Sequence, residues 1–152
     1  MARLTFIHLI LSLVSLGTGL PLISAFFAKR RAPRLNGIFL FMAVGTSVTG
    51  FLFPFHGVTP GLVVGLVSLA VLTLAAIAIA RKWSRAYMIS AVIAQSLNVL
   101  VLIAQLFAKV PALHRAAPTG TEPIVGATQA LALLVFLAIA VMAVRRSLYR
   151  LG

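Results

Sequence analysis

Residues 87–107 read YMISAVIAQSLNVLVLIAQLF, and this run decides the fold class. It contains no charged residue, and at a rise of about 1.5 Å per residue a helix of this length crosses a hydrocarbon core of about 30 Å. Because backbone groups cannot stay unpaired in lipid, the run is predicted to be a membrane-spanning helix. Four further apolar runs predict the same structure, at about 4–27, 38–55, 62–80 and 128–144.

The composition of the whole chain agrees with that prediction. Its 152 residues are 62% hydrophobic and 9% charged, whereas soluble domains average about 45–50% apolar and about 25% charged residues. The absence of cysteine excludes a disulfide scaffold and a thiol-based enzyme. We therefore predict an all-α integral membrane bundle of five transmembrane helices that forms a single domain over residues 1–152.

The positions of the basic residues predict the orientation of this bundle. Ten of the thirteen Lys and Arg side chains fall between spans one and two, between spans three and four, or after span five. Only Arg3, Lys109 and Arg115 belong to the opposite side. Basic residues are enriched in cytoplasmic loops, so the N-terminus is predicted outside and the C-terminus in the cytoplasm. The first span, followed by Lys29, exceeds the apolar core of about 7–15 residues in a signal peptide, and we expect it to be retained.

The same charges indicate the kind of partner. The formal net charge of +12 could indicate nucleic acid, but no basic stripe with interleaved aromatic residues occurs in the sequence. Because the bases cluster at the ends of apolar runs, we expect them to contact anionic lipid headgroups at the cytoplasmic face, and no nucleic acid.

Uncharged polar side chains in the fourth span form the first candidate site. At about 100° per residue, Asn98 and Gln105 lie within about 20° of each other on one helix face, with Gln95 nearby. The second span carries polar residues at a similar depth, and so does the first span, with Ser12, Ser15 and Thr18. The predicted ligand-binding residues are Thr46, Ser47, Thr49, Gln95, Asn98, Gln105 and Lys109, the last at the external mouth. Two interpretations stay open: hydrogen bonds that hold helices together, or a small polar or water-filled ligand site.

Four residues predicted to lie on the external side have side chains that can bind a metal ion. His8, His56, His114 and Glu122 all map to this side, and imidazole and carboxylate ligands suit zinc or copper. None of them has the spacing of a known metal motif, and interfacial histidines that bond to water or headgroups are the alternative interpretation.

Two stretches carry a family resemblance, LNVLVLIAQLFAKVPALHRAAPTGTEP at 97–123 and FPFHGVTPGLVVGLVSL at 53–69. In these stretches, and over roughly residues 36–130 as a whole, the chain resembles small bacterial integral membrane proteins of unknown function. The resemblance implies a bacterial inner-membrane location and carries no activity. A looser similarity, in size and in the RLNG segment, is to compact cytochrome-b-like membrane proteins, in which a histidine is expected where this chain has Asn36.

Three functions stay open. The first is the binding or passage of a small neutral or anionic solute, or a lipid, through the polar intramembrane site. The second is an accessory or scaffold subunit, which packs against a larger membrane partner. For the protein's partners in the membrane, a homo-oligomer and a larger membrane complex both stay open. The third is a metal- or haem-dependent enzyme that uses the external histidines. No catalytic residue and no cofactor is assigned from the sequence.

Overall fold

A computed structural model describes residues 2–54 and 59–146, and within these ranges the chain is helical with no strand. The six helices are α1 (Ala2–Phe27), α2 (Pro33–Gly50), α3 (Pro60–Ala80), α4 (Ser84–Lys109), α5 (Pro111–Ala116) and α6 (Pro123–Arg146). Four of them, α1, α3, α4 and α6, are long and apolar enough to cross a membrane. The chain therefore has the features of a multi-pass membrane protein.

The first four long helices form a ring. Each packs against the next along the chain, and α4 closes the ring by packing against α1. Because short turns join them, neighbouring helices run antiparallel. The α1–α2 turn, the α3–α4 turn and the last residues of α6 lie at one end, here called the arginine-rich end. The start of α1, the end of α2 and α5 lie at the other end, here called the loop end.

Helix α6 lies outside the ring. It packs mainly against α4 and to a lesser extent against α1, and most of its described side chains are exposed. Its buried side chains are Val125, Phe136 and Ala143, while Leu131, Leu134 and Leu137 are exposed. The sequence predicts this peripheral position, since the middle of the helix holds no polar side chain that would need a partner in the bundle.

Helix α2 departs from its predicted bounds. It begins at Pro33 rather than near residue 38, because proline at the first helical position needs no hydrogen bond and has a suitable φ angle. It ends at Gly50, since residues 51 to 53 bond to carbonyls three residues back and form a turn instead of another helical turn. With Arg34 and Asn36 inside it, α2 is not among the four helices apolar enough to span a membrane.

The connection between α4 and α6 is ordered rather than a plain loop. Composition predicts a Pro-, Gly- and Ala-rich loop over 108–127, but this segment contains α5. Ala117 and Val125 are buried with Phe107 in a small apolar cluster that holds the connection against the end of α4.

The packed core fills only part of the ring. From the arginine-rich end to the middle of the bundle, all four helices have buried side chains, including Phe26, Phe39, Leu72 and Tyr87. Among the described residues nearer the loop end, no side chain of α1, α2 or α3 is buried, and on α4 only Phe107 is. The ring is therefore tightly packed in one half and loosely packed in the other.

Candidate functional site

Gln95 marks the level at which the packed half of the ring ends. Its side chain is 1% exposed, and its Nε2 donates a hydrogen bond to the Leu16 carbonyl of α1 at 3.0 Å. The Oε1 atom lies against Gly19, is buried and has no hydrogen-bond partner among the described residues. A buried amide oxygen without a donor costs free energy, so this atom can accept a hydrogen bond that the described part of the chain does not supply.

Asn98 continues the polar contact one helical turn nearer the loop end. Its Nδ2 donates to Ser15 Oγ at 2.9 Å, and Ser15 is fully buried while Asn98 is half-buried. Ser15 and Gly19 are four residues apart on α1, so they lie on one face, where small side chains let α4 approach closely. The two amides of α4 therefore meet α1.

A second polar contact joins α1 to α2. His8 Nδ1 and Thr49 Oγ1 are 2.9 Å apart, and the Thr49 hydroxyl donates to the Gly45 carbonyl at 2.7 Å. Because that hydroxyl proton is used, His8 acts as the donor through its Nδ1–H. The His8 ring also packs edge-on against Phe53, with ring centroids 5.3 Å apart.

Exposure rises steadily along the polar face of α4. Gln95 is buried, Asn98 is half-buried, and Gln105 and Lys109 are exposed. Lys109, at the end of the helix, lies close enough to His8 for their charges to interact. The polar face therefore leads from the middle of the bundle to the basic side chain at the loop end.

The seven predicted ligand-binding residues do not form one continuous patch. The sequence places polar residues of both α1 and α2 near the depth of Gln95 and Asn98, and the hydrogen-bond partners of the two amides are on α1. Thr46, Ser47 and Thr49 of α2 are half-buried, and the Thr46 hydroxyl donates to the Met42 carbonyl of its own helix. Helix α1 thus lies between the two groups and contacts each of them. We call the seven predicted ligand-binding residues together the polar seam.

The predicted metal ligands are spread out in the described part of the structure. His8, His114 and Glu122 do not come together in a group of three that could hold an ion, and His56 lies outside the described residues. His8 contacts Thr49, and His114 is exposed on α5. Glu122 Oε1 accepts hydrogen bonds from the backbone N–H and the hydroxyl of Thr119.

A buried pair near the arginine-rich end was missed by the sequence analysis. Tyr87 is 0% exposed, and its hydroxyl donates to Asn36 Oδ1 at 2.9 Å. Its ring meets Phe26 edge-on, with centroids 6.0 Å apart. The sequence gives no signal for the pair, because the predicted span begins at residue 38, after Asn36. In the structure each residue is the fourth of its helix, counted from Pro33 and Ser84 at the same end.

Apart from Lys109, the site offers neutral hydrogen-bond donors and acceptors. Such groups can bind a polar molecule and fix its orientation, and they hold no carboxylate that would transfer a proton. Comparison of the chain with family models, with curated proteins and with solved structures finds no match.

Proposed function

We propose that the chain crosses the membrane five times, with α2 as the fifth span, the N-terminus outside and the C-terminus in the cytoplasm. Helix α2 has 18 residues, about 27 Å at the usual helical rise, and it packs beside α1 and α3, which are both apolar enough to span. The excess of basic side chains at the arginine-rich end supports this orientation. The resemblance noted above supports a bacterial inner membrane.

The absence of cysteine gives a direct test of this topology. Single cysteines placed at Ala28, Pro54 and Ala116 are treated with a membrane-impermeant maleimide in cells before and after permeabilisation. We expect labelling of intact cells at Pro54 and Ala116 and not at Ala28. Labelling of Ala28 and Pro54 from the same side would show that α2 does not cross.

We further propose that the polar seam binds a small neutral or anionic solute, or a lipid, which enters from the loop end. The observation that carries this proposal is the packing of the ring, because side chains fill one half and the polar seam lies along the loosely packed other half. Polar groups in a membrane interior are costly unless they are paired, so a half-buried polar face there favours an occupant.

The parts of the seam have different roles in this proposal. Lys109 attracts an anionic or strongly polar group at the loop end, where it is exposed. Asn98 and Thr49 then offer hydrogen bonds deeper in the bundle. The unpartnered Oε1 of Gln95 accepts a donor at the boundary of the packed half. Passage across the membrane would require the packed half to open as well, so binding is the minimal function.

The test is native mass spectrometry of protein released from mild detergent without chelators. We expect an additional retained mass on the wild-type protein and its loss in Asn98→Leu. The matched control is Gln129→Leu, which removes a polar contact between α6 and α4 outside the ring. Retention of the same mass by Asn98→Leu, or its loss in both variants, contradicts binding at the seam.

A second candidate function is that of an accessory subunit, which the exposure of α6 favours. Leu134, at the middle of this helix, is 63% exposed, and the neighbouring side chains form a smooth apolar face. Such a face can pack against lipid or against a larger membrane protein. Isolation from native membranes in mild detergent distinguishes these cases, since a stoichiometric partner supports the subunit role and recovery of the protein alone contradicts it.

A further inference from the structure

A concavity of about 400 Å³ lies at the turn between α1 and α2. Three arginines line it, Arg30, Arg31 and Arg34, and Ala25, Pro33 and Leu35 form its apolar wall. The concavity lies at the arginine-rich end, opposite the loop end to which the polar seam leads, so it is separate from the site proposed above.

The turn that carries these arginines is held in a defined shape. Lys29 has φ 54°, and the Arg30 backbone N–H donates back to the Ala25 carbonyl at 3.0 Å. The Asn36 N–H donates to the Ala32 carbonyl at 2.9 Å as α2 begins. A backbone that is already ordered loses little entropy when a ligand binds, which favours a discrete site over a diffuse basic surface.

The positive charge at this turn has no acidic side chain to neutralise it. The chain contains one acidic residue, Glu122, and it lies in the connection at the loop end. Three guanidinium groups around one concavity repel one another, and that repulsion is relieved by an anion from outside the chain. The start of α2 adds to the positive potential, since no side chain caps it and the N–H groups of its first turn lack helical partners.

The chemistry of the lining selects one class of anion. Guanidinium groups present several N–H donors in a planar fork that matches phosphate oxygens, and such charge-assisted hydrogen bonds are short and strong. The apolar wall beside them suits a phosphate that is attached to an acyl chain. We propose that this concavity is a binding site for a phosphate group, carried either by an anionic lipid headgroup or by a free phosphate.

The experiment compares two variants that each remove three positive charges from the same end of the bundle. Arg30, Arg31 and Arg34 are changed to Gln in the first variant, and Arg81, Lys82 and Arg85 in the control. The control residues contribute nothing to the concavity. Binding of phosphatidylglycerol to the purified full-length proteins is measured by native mass spectrometry, with phosphatidylcholine as the zwitterionic reference.

We expect the first variant to bind phosphatidylglycerol at least about tenfold more weakly than the wild type, because it loses several charge-assisted contacts, and the control variant to bind normally. Equal weakening in both variants would overturn the proposal, because it would show that only the total charge matters. Unchanged binding in the first variant would also overturn it.

Competition with inorganic phosphate identifies the source of the ligand. Persistent lipid binding in excess phosphate supports a lipid headgroup as the natural occupant. Displacement of the lipid, with phosphate binding to lipid-free protein, supports free phosphate. If the wild-type protein binds neither probe, the proposal is wrong whatever the outcome at the polar seam.

Discussion

The side-chain amide of Gln95 on α4 lies directly against Gly19 on α1, where a methyl group added to the glycine would overlap it. The amide also donates to the Leu16 carbonyl within the same turn of α1. Pro21 follows in the next turn and has no N–H to donate to the Gly17 carbonyl, four residues before it. The lack of a side chain at Gly19 therefore allows Gln95 to reach the backbone of its neighbour.

We predict that Gly19→Ala destabilises the protein by about 1–3 kcal/mol, because overpacking at a close helix contact forces the amide or the helix to move. The midpoint of thermal unfolding in detergent measures the effect. The control is Gly17→Ala, two residues away, where an added methyl group meets nothing within 4 Å. This control should be neutral or stabilising by up to about 1 kcal/mol, because alanine favours helix. Equal unfolding midpoints for the two variants would contradict the contact.

The buried pair Tyr87 and Asn36 gives a second prediction. Removal of the hydroxyl in Tyr87→Phe should destabilise the bundle. A double-mutant cycle with Asn36→Leu should give a coupling near the average of about 0.6 kcal/mol for such hydrogen bonds in membrane proteins, and no more than their maximum of about 1.7 kcal/mol. The cycle isolates this hydrogen bond from the other contacts of the two residues. Unfolding in graded denaturing detergent measures all four proteins, and additive effects of the two substitutions would contradict the pairing.

The sequence predicts the helices well and the neighbours of each helix poorly. Hydropathy locates the four membrane-capable helices to within a few residues, and the helical period places Gln95 and Asn98 on one face that points into the bundle. The helical period gives the face of a residue, and its position along the helix gives its depth, but neither gives the order of the helices around the ring. Ser15 of α1 and the threonines of α2 are both at the depth of the amides, and in the structure the amides bond to Ser15 and Leu16 of α1.

Helix α2 shows a second limit of prediction from hydropathy. A hydropathy run begins at the first apolar residue, whereas the helix begins where backbone geometry permits, at Pro33. Asn36 then lies inside the helix at no large cost, because Tyr87 supplies a partner. When the partner of a polar residue comes from a distant segment, the sequence alone does not reveal the partner. Hydropathy then predicts a helix boundary at the polar residue.

The α3–α4 turn carries strain that can be relieved. Lys82 adopts φ 56°, a left-handed conformation that costs a residue with a Cβ atom about 1–2 kcal/mol and costs glycine little. The Trp83 N–H then donates to the Ala78 carbonyl at 2.8 Å and closes the helix end. We predict that Lys82→Gly is neutral or stabilises the protein by up to about 1 kcal/mol, although it removes a charge.

The control for this turn is the preceding residue. Arg81 has φ −89° and ψ 0°, a conformation that gives glycine no advantage. Arg81→Gly should therefore destabilise the protein by about 0.5–1 kcal/mol, mainly through the added freedom of the unfolded chain. Unfolding midpoints of the two variants are compared in the same detergent. A lower midpoint for Lys82→Gly than for Arg81→Gly would contradict the assignment of strain to Lys82.

Glu122 gives a prediction about pH. The Thr119 backbone N–H donates a hydrogen bond to this carboxylate and is the largest cause that lowers the pKa of Glu122 below its ordinary value of 4.5. The Thr119 hydroxyl also donates to the carboxylate and lowers the pKa by a smaller amount. A carboxylate with a lowered pKa stabilises the folded connection above the ordinary value, and this stabilisation is lost as the pH falls through the lowered pKa. Residues 119–122 should therefore keep their structure at pH 4.5 and open below it.

Nuclear magnetic resonance of the Thr119 amide measures this transition directly. We expect the amide shift to titrate with a midpoint below 4.5, and Glu122→Gln to abolish the titration, because the neutral amide keeps an oxygen acceptor but cannot change charge. The buried cluster of Phe107, Ala117 and Val125 should hold the rest of the connection in place, so its resonances serve as the internal control. A midpoint at or above 4.5, or the same titration in the variant, would show that the carboxylate does not order this segment.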